Sequence, residues 1–308
     1  MILAVKTTNL LKSFNGVKAV NQLNLEVPVG AIYGFLGPNG SGKTTTLKML
    51  TGMTEPTSGS IEIMGKPVVF GHQKSQSNIG FLPDVPGFYD WMNARDFLIL
   101  CGNLFHIPKD VLEPKVSDLL KTVGLKQHEK KKIGTFSRGM KQRLGIAQAL
   151  INDPEVIFLD EPVSALDPQG RKEVMDIIGG LKGRVTVFFS THILSDVERI
   201  CDRVVIINDG IAILEDTIEN IKNISDSREI EIEAESNTIQ HMHQIILDKK
   251  IASSIEKNTH SLTLTVDDLD KARLHLNQIM NEHQFLVKKL LVKEPSLEDI
   301  YMKAVKSS

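Results

Sequence analysis

Cysteine is nearly absent: Cys101 and Cys201 are the only two in a chain of 308 residues. They stand apart from each other and from any metal-ligand spacing, so neither a disulfide framework nor a zinc site is expected, and a reducing cytosol is the default compartment. Long apolar runs are missing too. Nowhere do about 18 consecutive apolar residues occur, as a membrane-spanning helix needs. The opening run before Lys6 is too short for a signal peptide and has no basic residues ahead of it. The chain is therefore expected to stay outside the bilayer and to reach any membrane through a partner. Neither sign of charge prevails: 36 Lys+Arg against 38 Asp+Glu leave −2, with no basic surplus to suggest nucleic acid. At 41% hydrophobic and 24% charged residues, collagen-like, low-complexity and disordered classes drop out.

What is present is a length that predicts two domains and a rhythm that changes along the chain. Leu23 to Val27 alternates as a half-buried strand. Ala31 to Leu36, Val156 to Leu159, Val185 to Ser190 and Arg203 to Ile207 are continuous apolar runs, as strands buried on both faces would be. Helical patterns at 137–151 and 171–181 lie between them, which predicts an α/β core with a largely parallel sheet over residues 1–220. Residues 81–136, punctuated by Pro83, Pro86, Pro108 and Pro114, read as a helical insertion, and the helical subdomain is placed at about 81–150. The polar stretch Lys222 to Ser227 reads as a linker. Beyond it, in 221–308, strand and helix patterns follow in the order β-α-β-β-α-β, which predicts a small ferredoxin-like α+β domain.

Gly37-Pro38-Asn39-Gly40-Ser41-Gly42-Lys43-Thr44 fits G-x-x-x-x-G-K-[ST] between a buried strand and a helical run from Thr45. Its glycines let backbone N–H groups turn toward phosphates, and the helix start adds its positive dipole end. Lys43 is expected at the β- and γ-phosphates, the Thr44 hydroxyl at Mg²⁺, and Thr45 beside the nucleotide. Downstream, Val156-Ile157-Phe158-Leu159 ends in Asp160-Glu161. A buried strand delivering two carboxylates at its C-terminal end suits phosphoryl chemistry. Asp160 is expected in the Mg²⁺ shell and Glu161 as general base toward the attacking water.

With these motifs in order, the chain resembles the ATP-binding cassette (ABC) ATPases, the nucleotide-binding subunits of ABC transporters. Phe136-Ser137-Arg138-Gly139-Met140 resembles the signature motif, Ser164-Ala165-Leu166-Asp167 the D-loop, Ser190-Thr191-His192 the switch-histidine segment, and Phe14 the aromatic that stacks on adenine. The chain departs from the family pattern at two places: in the signature, where Arg138 stands where a glycine is usual and Met140 where glutamine is common, and at Asp84, where the Q-loop glutamine falls, a metal-side position. The resemblance implies a P-loop NTPase cassette that binds ATP and Mg²⁺. It also implies that Ser137 and Gly139 complete the site of a second cassette, identical or similar, with ATP sandwiched head to tail. His192 then meets the γ-phosphate, and Asp167 links the two sites.

The same resemblance implies a separate transmembrane permease and a place at the cytoplasmic face of the membrane. Six aromatics crowd residues 81–105, and Phe88, Tyr89 and Trp91 are the candidates for contact with that permease. Pro295 to Tyr301 resembles the ending of exporter-type cassettes related to drug, antibiotic-peptide and polysaccharide exporters. A cassette acting on ribosomes or DNA, and an importer subunit, are the competing readings. His241, His243 and His260 lack the accompanying cysteine and carboxylate pattern of a metal site. The run Lys126 to Lys132 reads as a solvated loop, with phospholipid headgroups as the alternative contact.

Overall fold

The computed structural model describes residues 2–71, 77–224 and 229–293. The chain divides between Ile218 and Glu219 into two compact units. In the first, β1 (Leu3–Phe14) and β2 (Val17–Pro28) form a hairpin. Its turn is Asn15-Gly16, at φ 50° and 85°, the left-handed pair that a two-residue hairpin requires. β3 (Ile32–Leu36) leads through the glycine-rich loop into α1 (Lys43–Leu50). β4 (Ser58–Ile63) and β5 (Lys66–Pro67) extend the hairpin into an antiparallel sheet of order β2-β1-β4-β5.

Next come β6 (Ile79–Leu82), α2 (Ala94–Leu104), α3 (Lys109–Thr122) and α4 (Arg138–Ala149). β7 (Val156–Asp160), α5 (Pro168–Gly179), β8 (Thr186–Thr191), α6 (Leu194–Ile200), β9 (Arg203–Asn208), β10 (Ile211–Thr217) and α7 (Ile218–Ile224) follow. The second sheet has the order β10-β9-β3-β8-β7-β6, parallel except for β10 at its edge. The helical insertion starts later than expected. Phe81 and Leu82 are still strand, because β6 pairs with β7, and α2 begins at Ala94.

The continuous apolar runs are buried as their composition requires: every residue of β3, β7 and β8 is inaccessible or nearly so. Phe188 packs against Tyr33, Phe35 and Phe158 at centroid distances of 5.4, 5.2 and 5.6 Å. That cluster joins Val5, Leu25 and Ile61 of the antiparallel sheet in one core. Each such burial contributes roughly 1.5–3 kcal/mol. The parallel strands thereby hold their C-terminal ends in a common line, and the loops leaving β3, β7 and β8 carry the phosphate loop, the paired acids and His192.

In the second unit, β11 (Glu229–Ala234), α8 (Ser236–Asp248), β12 (Ser254–Lys257), β13 (Ser261–Thr265), α9 (Leu269–Glu282) and β14 (Val287–Lys293) form an antiparallel sheet of order β12-β13-β11-β14. Ile239, Met242 and Ile246 of α8 and Ala272, Leu276 and Ile279 of α9 share one core with Ile230, Ile232, Leu262 and Leu264. Both helices therefore cover the same sheet face. The other face is polar, with Lys289 bridging Glu231 (3.1 Å) and Glu233 (3.3 Å). The linker expected from Lys222 is corrected at its start, since α7 runs on to Ile224. Arg228 and the exporter-like ending Pro295 to Tyr301 lie outside the described residues.

Candidate active site

The loop between β3 and α1 wraps tightly because two of its glycines leave no room for a side chain. A Cβ on Gly37 would lie 2.5 Å from the Ile207 carbonyl oxygen, and one on Gly42, at φ 101°, 2.3 Å from that of Ala19. Asn39, Gly40, Gly42, Lys43, Thr44 and Thr45 line a cavity of about 400 Å³, and Asp84, Glu161 and His192 line it as well. Gly37, Pro38 and Ser41 lie behind that wall. There the Gly37 and Pro38 carbonyls accept from Lys43 Nζ at 2.8 and 3.0 Å.

Glu161 connects the parts. Its Oε1 is 3.3 Å from Lys43 Nζ, and its Oε2 is 2.9 Å from His192 Nδ1. An ionised carboxylate only accepts, so the imidazole proton of this contact sits on Nδ1. Glu161 has φ 47°, a left-handed conformation costing about 1–2 kcal/mol in a non-glycine residue. The strain aims its carboxylate back toward the loop instead of onward with the chain. Beyond its ion pair with Lys43, Glu161 Oε1 has no hydrogen-bond partner, and neither has the buried Ser41 Oγ of the loop; the first lines the cavity as an acceptor with capacity to spare.

Ser190, which the sequence reading gave no separate role, ties the two acids together. Its Oγ donates to Asp160 Oδ1 at 2.7 Å and accepts the Glu161 N–H at 2.9 Å. A polar residue ending the buried run Val185 to Phe189 is the signal that marks it. Asp160 is itself buried, 2% exposed. Hard oxygens at Thr44, Asp160 and Asp84 are the donor type that Mg²⁺ takes.

The other expected nucleotide residues stand elsewhere. Ser137 caps α4, accepting the Met140 N–H at 3.2 Å, and Gly139 lies in the first turn. Asp167 caps α5, accepting the Gly170 N–H at 3.3 Å. None of the three lines the cavity. Phe14, half exposed at the hairpin tip, has Lys12 Nζ 5.0 Å from its ring centroid, and that ammonium also donates to the Glu55 carbonyl at 2.6 Å. The two departures from the family pattern pair with each other: Arg138 Nη2 is 4.0 Å from Asp84 Oδ1. Arg171 of α5 binds Asp196 of α6, Nε to Oδ1, at 2.8 Å. Burial raises the Asp196 carboxyl above the usual range, and Arg171 draws it back down. This pair joins the helix capped by Asp167 to the helix that follows His192.

Of the aromatics expected to face a permease, Phe88 is partly buried and meets Phe97 edge-on at 5.1 Å, whereas Tyr89 and Trp91 are exposed. A separate groove of about 610 Å³ runs between the β6 edge and the C-terminal ends of α2 and α4, lined by Met53, Phe81, Cys101, Leu104 and Phe105. Burial pushes the Cys101 thiol up to about 11.

A glycine-rich loop at a parallel strand end, with a lysine, two acids and a histidine gathered on it, defines a P-loop ATPase. The profile of the family described as ABC transporter matches residues 20–164. The bacitracin transport ATP-binding protein BcrA of Bacillus licheniformis is 36% identical over 310 residues, covering 98% of this chain and 97% of its own. The Nod factor export ATP-binding protein I of Burkholderia lata is 38% identical over 208 residues, 67% of this chain and 68% of that one. Among solved structures, cbiO1 of Clostridium perfringens, part of the ABC transporter complex cbiONQ, superposes with a TM-score of 0.67 at 25% identity, over 82% of this chain and 100% of that one. The chain belongs to the ABC transporter ATP-binding proteins: it is the ATP-binding, ATP-hydrolysing subunit of an ABC transporter. These relatives are transporter subunits, which favours the transporter reading over a cassette acting on ribosomes or DNA.

Proposed function

We propose that this chain powers export through a separate membrane-spanning subunit, working as one of a pair of cassettes with ATP held between them. The observation that carries the reading is the contact of Glu161 with both Lys43 and His192 in one cavity. Bound ATP offers Lys43 a stronger anion than Glu161, so the ammonium turns to the β- and γ-phosphates and Oε1 is freed. Glu161 then takes a proton from the water whose oxygen attacks the γ-phosphorus, and the bond to the departing ADP oxygen breaks. His192, donating through Nδ1, keeps the carboxylate oriented, as the third member of a catalytic triad orients the second. Thr44 and Asp160, with Asp84 beside them, would hold Mg²⁺, which neutralises phosphate charge when bound.

Export is supported by the relative named for Nod factor export and by the one named for bacitracin transport, the latter matching along its full length. Among the described residues no helix is long and apolar enough to cross a membrane. The relatives named as ATP-binding proteins of transport and export systems support a separate partner for the membrane path, with this chain at the cytoplasmic face. The groove beside β6, where Met53, Leu104 and Phe105 expose apolar surface, suits an apolar helix face of that permease.

The test is Glu161→Gln. The variant is expected to bind ATP, lose turnover and accumulate as an ATP-bound dimer in sizing chromatography. A variant that stays monomeric under saturating Mg-ATP would count against the sandwich. Affinity purification of the same variant from membranes should recover a polytopic membrane protein; recovery of ribosomal material alone would remove the transporter reading.

A further inference from the structure

Trp91, the chain's single tryptophan, is 72% exposed, and neighbouring Tyr89 is 53% exposed. Their rings pair at 5.9 Å between centroids, an arrangement that leaves most of the indole in water. The loop bearing them is not loose. Met92 N–H donates to the Tyr89 carbonyl at 2.9 Å, Ile133 N–H to that of Met92 at 2.8 Å, and Gly134 N–H to that of Asp90 at 3.0 Å. A bridge pairs Asn93 with Lys132. These bonds set the basic run beside the aromatic pair.

Lys130, Lys131 and Lys132 are all exposed, and none has a salt-bridge partner among the described residues. The nearby acids are already engaged: Asp90 with Lys141 at 3.0 Å, Glu129 with Lys126 at 2.8 Å, and Asp96 with Asn93 at 2.8 Å. Three exposed ammonium groups without a salt bridge, beside a fixed pair of amphipathic rings, form a surface suited to anions with an apolar layer just beneath them. The groove assigned to the permease does not cover it. That groove lies at the C-terminal end of α2 and the patch at its start, and the 11 residues of α2 span roughly 16 Å.

We propose that Tyr89, Trp91, Lys130, Lys131 and Lys132 form a docking patch for the anionic headgroups of a phospholipid surface. The lysines supply long-range attraction that salt screens, and the rings enter the headgroup region. Only the short segment Ile133 to Phe136 separates the basic run from Ser137, so membrane contact bears on the start of α4. The inference goes beyond the nucleotide chemistry and stands without it.

Because Trp91 is the chain's single tryptophan, its fluorescence reports this patch and nothing else. The purified full-length chain is mixed with vesicles of phosphatidylcholine alone or with added phosphatidylglycerol, and both emission and co-sedimentation are followed. A blue shift with co-sedimentation is expected on the anionic vesicles, reversed by raising salt. The triple replacement Lys130→Gln, Lys131→Gln, Lys132→Gln should lower partitioning roughly 100-fold while ATP binding is kept, at about fivefold per lysine. Trp91→Ala should weaken co-sedimentation as well. Equal binding to neutral vesicles, co-sedimentation without an emission shift, or no effect of the triple replacement would each overturn the proposal. An emission shift that needs the permease subunit and not lipid would assign the patch to a protein partner and overturn it too.

Discussion

The phosphate cavity and the start of α4 are both read as ATP contacts, yet they are built to opposite standards. At the cavity the chain holds its own charged groups: Lys43 by two carbonyls and an acid, His192 by Glu161, and Asp160 by Ser190. At α4 the hydroxyl of Ser137 does nothing more than cap its own helix, and Ser137 and Arg138 are exposed. One half of the site is gathered within the chain around the buried Lys43, Asp160 and Glu161; the other is finished as a helix terminus and exposed. In the proposed pair, the exposed half at α4 would meet the nucleotide held by the facing cassette.

The comparison breaks most sharply at the cavity. Glu161→Gln is expected to lower kcat by about 10³-fold, within the range for loss of a general base, while ATP affinity is kept or improved; phosphate release under saturating ATP measures it. Next in size, Ser137→Arg should leave nucleotide binding by the isolated chain intact and reduce ATPase by roughly 100-fold, the scale of a lost transition-state donor set. Mixing that variant with Glu161→Gln sharpens the test. If the halves come from different chains, a mixed pair holds one intact composite site of two and regains up to half of the wild-type rate per pair; if each chain works alone, mixing restores nothing.

Smaller effects separate base stacking from phosphate binding. Phe14→Ala should weaken ATP binding by about 5- to 100-fold, the usual range for a lost base–aromatic stack, and leave triphosphate binding alone. Since a ring face reads no base edge, GTP should be used within about tenfold of ATP, and a thousandfold preference would remove Phe14 from that role. Lys12→Ala, which uncovers one face of the ring, should cost roughly 2- to 5-fold in ATP affinity. The pairing of Arg138 with Asp84, half exposed and 4.0 Å long, should give a coupling in a double-mutant cycle of no more than about 0.5 kcal/mol.

Much of this was legible in the sequence for one reason: buried strands and phosphate loops are local patterns. Val156 to Asp160 announces a strand ending in acids, and Gly37 to Thr44 announces a turn that only glycines can make. What could not be read depends on contacts between distant segments. Ser190 and Asp160 are 30 positions apart, and nothing in either neighbourhood says that one hydroxyl serves both acids. The left-handed backbone of Glu161 is imposed by its surroundings, since glutamate carries no preference for it. Phe88, Tyr89 and Trp91 sit within four positions, yet the first packs against Phe97 and the last faces water. A loop without periodicity gives no rule for which side chain turns inward. The late start of the helical insertion likewise follows from the pairing of β6 with β7, not from residue preference.

The caps at Ser137 and Asp167 leave each side chain a free hand. Ser137 Oγ accepts the Met140 N–H and Asp167 Oδ1 the Gly170 N–H. A cap of this kind is worth about 1 kcal/mol, and it occupies only an acceptor: the Ser137 hydroxyl proton and the second Asp167 oxygen are not used by it. In the proposed pair, each helix end would therefore meet the facing cassette with its side chain already set in place, and closing would not have to undo the cap.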